Sequence, residues 1–138
     1  MDTYTAKLLQ QFKSDALSAD VPWKEEIDGY YTFADLGGVN LEITDSGSVE
    51  LSVWSPSKPQ GESLYVMYVH EPDATNSSIM RELFQEYLSD KLFELNRHRW
   101  WSSPELVIKR DDDYYSPKDK KNVKLDNRSS LTPILLKK

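Results

Sequence analysis

The sequence predicts an α+β protein in which two helices pack on one face of an antiparallel sheet of about four to five strands. Apolar residues recur at helical spacing near residue 10 and again near residue 85, and alternating apolar and polar residues fill much of the stretch between them. Short, turn-like connections between the alternating runs favour antiparallel pairing. The 138 residues suit one domain, and the 12% aromatic content supplies large side chains for a core.

The first predicted element is an amphipathic helix near residues 3–18. Asp2 or Thr3 can cap its start, and Pro22 ends it at the latest. The apolar side chains that share one face are Tyr4, Leu8, Leu9, Phe12 and Ala16.

Four strand-like runs follow, at residues 29–34, 39–44, 49–54 and 63–70, and a fifth is predicted at 104–109. The run 63–70 is apolar on both faces, which indicates a place in mid-sheet or under a helix. Alternation puts Glu42, Glu50 and Trp54 on the sheet face opposite the apolar side chains. An aromatic residue beside carboxylates is typical of a binding surface. The alternative is that the C-terminal segment or another strand covers Trp54.

The second predicted helix runs from Ile79 to about His98. Helical geometry puts Glu82, Glu86 and Asp90 on its solvent side, one turn or roughly 6 Å apart. Phe93 falls on the same face. This composition is typical of an interface, in which the aromatic ring fills a pocket of the partner and the surrounding acids attract a basic surface. The alternative is that Phe93 packs under the C-terminal segment or Trp101 and that the acids are ordinary helix surface.

The stretch "RHRWW" at 97–101 permits two interpretations. Arg97, Arg99 and Trp101 combine cations with an aromatic ring, as single-stranded nucleic-acid sites do. The favoured interpretation is a helix C-terminus, where cations are stabilised, followed by a corner that Trp100 and Trp101 fill. In that case one tryptophan packs and the other stays partly exposed.

Charge divides unevenly along the chain. Residues 1–108 carry 8 basic and 18 acidic side chains, a balance of −10, whereas residues 109–138 carry 9 and 5, a balance of +4. We therefore predict a globular domain at 1–110 and a charged linker with an extended basic, apolar-ended tail at 111–138. The closing "LTPILLKK" is expected to dock on the chain itself or on a sister subunit rather than act as a free peptide motif.

Chemistry motifs are sparse. The chain has no Cys, its two His fall in different predicted elements, and the "DDD" at 111–113 lacks the spaced ligands, glycine and distal Glu of a calcium loop. We predict no catalytic residue, no metal, no cofactor and no enzymatic activity. The sequence also lacks a membrane-length apolar run and a signal-peptide pattern, so we expect a cytoplasmic protein.

The function predicted from these features is that of a small acidic protein-binding module. It would occlude a basic, nucleic-acid-binding surface of a partner protein, as an inhibitor or immunity-type factor does. Immunity proteins, secretion chaperones and phage-encoded inhibitors share such α+β layouts, which is an analogy of fold only. The first alternative is a chaperone-like or structural accessory protein that dimerises through its sheet or tail. The second is nucleic-acid binding through "RHRWW" and the basic tail.

Overall fold

Two helices and two antiparallel sheets of five strands each make up the fold, in a computed structural model that describes residues 3–58 and 61–136. The α+β class predicted from the sequence is confirmed, with two sheets in place of the single sheet expected. In chain order the elements are α1 (Thr3–Ser18), β1 (Lys24–Asp28), β2 (Tyr31–Asp35), β3 (Val39–Thr44), β4 (Val49–Trp54), β5 (Ser63–Val69), α2 (Ala74–Leu88), β6 (Leu92–Asn96), β7 (Glu105–Arg110), β8 (Asp113–Ser116), β9 (Lys121–Val123) and β10 (Ser130–Pro133).

The first sheet is a simple meander in the order β1-β2-β3-β4-β5. Its alternation decides which face is buried, since the inward residues are Val39, Leu41, Ile43, Val49, Leu51 and Val53. Both helices belong to the core on this inner face, where the rings of Phe12 and Phe84 meet edge to face with centroids 4.9 Å apart. Arg81 of α2 donates two hydrogen bonds of 2.9 Å to Asp15 of α1. The outer face is therefore the one turned away from the helices.

Strand β5 lies at the edge of this sheet, so the predicted mid-sheet position is wrong. The alternative, a place under a helix, describes it better, because Met67 and Val69 belong to the core that α2 covers. The expected bounds of α1, β3 and β4 are confirmed, whereas Asp2, a predicted cap of α1, lies outside the described residues.

The second helix begins five residues earlier and ends ten residues earlier than predicted. Asp73 caps its start, because its side chain accepts hydrogen bonds from the Thr75 and Asn76 backbone N–H groups while the Asn76 side chain accepts from the Asp73 N–H. It ends at Leu88, after which Asp90 takes a left-handed φ of 60° and turns the chain. The face predicted from helical geometry therefore does not extend beyond this turn.

The second sheet, in the order β10-β6-β7-β8-β9, holds much of the sequence that was predicted to be helix end, linker and tail. Residues 113–133 contain β8, β9 and β10, and Ile134 is buried in the core with its N–H donating to the Leu92 carbonyl at 3.0 Å. The C-terminal segment thus docks on the chain itself up to Leu136, and Lys137 and Lys138 lie outside the described residues. The division at residue 110 into a domain and a linker stays a prediction.

Tyr87 joins the helices, the first sheet and the C-terminal segment at one point. Its hydroxyl donates to the Leu36 carbonyl at 2.6 Å, accepts from the Gly38 N–H at 3.0 Å and lies 3.1 Å from the Leu135 carbonyl oxygen. Burial raises the pKa of Tyr87 to about 12, so the hydroxyl keeps its proton for these bonds at neutral pH. A side chain on Gly38 would meet Ile134, because a Cβ there would lie 2.5 Å from its Cγ2 atom.

Candidate functional site

The outer face of the first sheet brings acidic and aromatic side chains into one row across all five strands. Strand register places the residues side by side, in the order Glu26, Phe33, Glu42, Glu50 and Tyr68. Neighbouring strands lie about 4.8 Å apart, so the row spans roughly 19 Å. We call these five residues the acid–aromatic row. Two of its members, Glu42 and Glu50, were predicted from the sequence as a binding surface, and the structure brings them together.

Glu42 and Glu50 are direct cross-strand partners, and like charges in that position destabilise a sheet. Partial burial raises the pKa of the Glu50 carboxyl, and the charge of Glu42 and a hydrogen bond with it raise the pKa further. The pair therefore favours a shared proton or an external cation. Phe33 and Tyr68 flank the pair on either side.

The charges around the row are also negative. Asp28 raises the pKa of the Tyr31 hydroxyl through its charge and a hydrogen bond of 3.3 Å, and Glu42 and Glu26 contribute to the same shift. Within β1 to β5, which the structure describes in full, Lys24 is the only basic residue, and it lies on the same face as Glu26. The face is thus complementary to a basic surface.

Trp54, the third residue predicted for this face, lies at the end of β4 and is half-buried. With the Asn40 amide oriented so that its oxygen faces the indole, that oxygen accepts from Trp54 Nε1 at 2.7 Å. The indole is therefore held at one end of the outer face. The neighbouring outward residue of β4 is Ser52, two positions before it.

The predicted face of the second helix is dispersed. Glu86 accepts two hydrogen bonds from Arg110 of β7, at 2.9 and 3.0 Å, and Glu82 lies 3.6 Å from the same guanidinium. Asp90 is in the turn after the helix, and Phe93 on β6 packs edge to face against Tyr114, with centroids 5.9 Å apart. The prediction that these four residues share one helical face is wrong, because the helix ends at Leu88. Their contact with a partner stays a prediction.

Glu94 forms a buried polar cluster that sequence reasoning missed. Its carboxylate, in a residue 1% exposed, accepts from the Ser55 hydroxyl at 2.9 Å, the Ser57 hydroxyl at 2.5 Å and the Ser57 N–H at 3.2 Å. These bonds tie the loop after β4 to β6, and hence one sheet to the other. Helical geometry placed Glu94 toward the edge of the core in the expected helix, but it gave no sign of the serines that satisfy its carboxylate, because they lie 37 and 39 residues away in the sequence.

The "RHRWW" stretch is the loop between β6 and β7, not a helix end, and it displays both tryptophans. Trp100 is 94% exposed and Trp101 is 63% exposed, so the predicted packing of one of them into a corner is wrong. The flanking cations are already paired. Arg97 lies 3.1 Å from Glu105, and Arg99 lies 2.5 Å from Asp126.

One histidine in this loop contacts a serine. His98 Nε2 lies 2.7 Å from Ser130 Oγ, and the two side chains are exposed. A catalytic pair also needs a third group that orients the other ring nitrogen, and the contacts of the described residues supply none. The pair braces the loop against β10. Among the described residues, no group of three or more metal-ligating side chains is arranged to hold a metal ion.

No helix within residues 3–58 and 61–136 is long and apolar enough to cross a membrane. Comparison with known protein families, curated proteins and solved structures finds no match for this chain.

Proposed function

We propose that the chain is a non-enzymatic, cytoplasmic protein-binding module whose acid–aromatic row docks on a basic surface of another protein. The observation that carries the proposal is the cross-strand pair of Glu42 and Glu50 between Phe33 and Tyr68. An acidic pair of this kind costs stability, and a partner's Arg or Lys side chain offsets that cost on binding.

The row suggests how such a cation is held. A guanidinium or ammonium group above the carboxylate pair contacts both acids and the two flanking rings at once. Because Glu50 has a raised pKa, its protonation competes with the cation, and affinity falls as the pH is lowered through that pKa. Partners with a nucleic-acid-binding groove have the required surface, so the module would act as an inhibitor or immunity-type factor by occlusion.

The experiment is a quantitative capture with the chain as immobilised bait, at low salt, from a lysate of its source cells. We expect basic proteins on the wild-type bait, eluting as salt rises, and their loss on a Glu42→Gln, Glu50→Gln bait. The matched control is Glu71→Gln with Asp112→Asn, two exposed acids outside the row, which makes the same change in net charge. Equal retention on the two variant baits, whether at or below the wild-type level, would contradict the proposal, because the row would then contribute no more than any other pair of exposed acids.

The exposure of both tryptophans favours a second candidate, direct binding of single-stranded nucleic acid by the β6–β7 loop. Exposed rings can stack on bases, and Arg99 lies over Trp101 with its guanidinium carbon 5.5 Å from the ring centroid. Its pairing with Asp126 makes it a weaker phosphate ligand. Quenching of tryptophan fluorescence by a short oligonucleotide, abolished in Trp100→Ala, would support this candidate. An unchanged spectrum at low salt would remove it.

A further inference from the structure

The four outer strands of the two sheets differ in how they are protected against pairing with another chain. Exposed strand edges recruit further strands unless charge, proline or short length prevents it. Strand β1 is four-fifths charged and exposed throughout, β9 has three residues and begins with Lys121, and β10 has four residues and ends with Pro133. Three edges therefore carry a protective feature.

Strand β5 has none of these features. It extends over seven residues from Ser63 to Val69 and contains neither charge nor proline. It pairs only with β4, and in the described part of the chain no strand is hydrogen-bonded to its other side. Its outward side chains Val66 and Tyr68 are 43% and 58% exposed, more than the half-buried outward residues of β3 and β4.

The apolar margin continues on the inner side of the same edge. A cavity of about 320 Å³ opens there between β5, α2 and β7. Tyr65, Met67 and Ile108 line its apolar part, and the charged residues Glu82, Glu86, Arg110 and Lys120 also line it. The apolar side chain of Ile79 on α2 also lines the cavity and is 54% exposed. Apolar side chains therefore stand on both faces of the free β5 edge, where a further strand would cover them.

We propose that two copies of this chain pair antiparallel through their β5 edges and form a continuous ten-stranded sheet. Strand β5 has no charged residue. Two copies of it can therefore pair about a two-fold axis without placing like charges opposite each other. The apolar margins of the two copies then bury each other. This inference is independent of the proposed function, since the acid–aromatic row contributes only Tyr68 to the edge.

Electrostatics permit the pairing despite the acidic outer face. Glu50 is on β4, so the two copies of this carboxylate are separated by three strand spacings, or about 14 Å. That distance exceeds the screening length of about 8 Å at physiological salt, so repulsion between them is weak. The dimer would present two acid–aromatic rows on one surface.

The test is the mass of the full chain in solution, by sedimentation or light scattering, over a range of concentrations. We expect twice the chain mass of 16.0 kDa. Val66→Lys places a charge beside the edge and is expected to raise the dimer dissociation constant at least tenfold. The matched control, Ile27→Lys, changes an exposed apolar residue on the opposite edge strand and should leave that constant within twofold.

Ile79→Glu supplies a second variant at an exposed helix position, where misfolding is not expected. It should also weaken the dimer, while circular dichroism stays unchanged. Because β5 has no charge while each chain carries a net charge of −6, the dimer should not weaken as salt is raised. A monomer at all concentrations up to about 100 µM overturns the proposal, since even a micromolar dimer would be populated there. A dimer that survives both Val66→Lys and Ile79→Glu overturns it equally, because its interface must then lie elsewhere.

Discussion

Replacing Glu50 by Gln should make the protein more stable at neutral pH. Glu50 faces Glu42 directly across two strands, and like charges in that position cost about 0.2–1 kcal/mol. Coulomb's law gives a similar size, about 1 kcal/mol for two unit charges 4 Å apart in water. Glutamine keeps the shape and the hydrogen-bonding capacity while it removes one charge. We expect the free energy of unfolding to rise by about 0.5–1 kcal/mol, or roughly 2–5 °C in Tm.

The pH dependence of the free energy of unfolding shows whether the charge of Glu50 causes this gain. The folded protein holds a proton on Glu50 more tightly than the unfolded chain does, because the pKa of this carboxyl is raised in the fold. Between the usual pKa and the raised one, stability therefore falls as the pH rises. The penalty is fully present above the raised pKa and disappears below the usual value. The gain from Glu50→Gln should consequently be present at pH 7 and be lost near pH 4.

Urea unfolding of the wild type, Glu50→Gln and Glu71→Gln at both pH values measures this difference. Glu71 is an exposed acid in the loop before α2, so the control accounts for the general benefit of lowering net charge. The reasoning is refuted if the two variants gain equally at pH 7. It is also refuted if the gain of Glu50→Gln persists unchanged at pH 4.

Three further substitutions test the interior. Tyr87→Phe should cost about 1–3 kcal/mol in urea unfolding, because the Gly38 N–H and the Leu36 carbonyl lose a buried partner; a neutral result would mean that water replaces the hydroxyl. Glu94→Ala should lower the free energy of unfolding by about 3 kcal/mol or more, because the hydroxyl and N–H groups of the loop after β4 lose their acceptor. Unchanged stability would show that these groups reach water instead. Gly38→Ala should release the C-terminal segment, because the new methyl group would occupy the space of the Ile134 side chain. Limited proteolysis should then cut near residue 130 faster than in the wild type. An unchanged cleavage rate would contradict this packing.

Regular alternation made β3 and β4 predictable, whereas β1, which is exposed throughout and has no alternation, was missed. In β3 and β4 the apolar residues are buried, apart from Trp54 at the end of β4, and the polar ones are partly exposed. The bounds and the outward position of Glu42 and Glu50 therefore followed from the pattern. The pairing of these two acids in register could not be predicted with the same ease, because it depends on the turn between the strands. That turn uses Gly47 at a φ of 103°.

The region after residue 88 was mispredicted for a physical reason. Leu88, Leu92 and Leu95 lie at helical spacing, which favours continuing the helix. The chain instead forms β6, which pairs with β7 and β10, and Glu94 takes an inward position whose burial is satisfied by serines some 40 residues away in sequence. Local patterns carry no signal of such a distant contact. The same limit hid β8, β9 and β10, which have only three or four residues each and are held by tertiary pairing.

A backbone amide titration by nuclear magnetic resonance, with an arginine-rich peptide as the basic probe, tests the central claim most directly. The account predicts that the largest shifts fall on the acid–aromatic row of β1 to β5, and that Glu42→Gln with Glu50→Gln abolishes them while Glu71→Gln with Asp112→Asn does not. Shifts centred on α2 around Glu82 and Glu86, or spread evenly over every exposed acid, would contradict it.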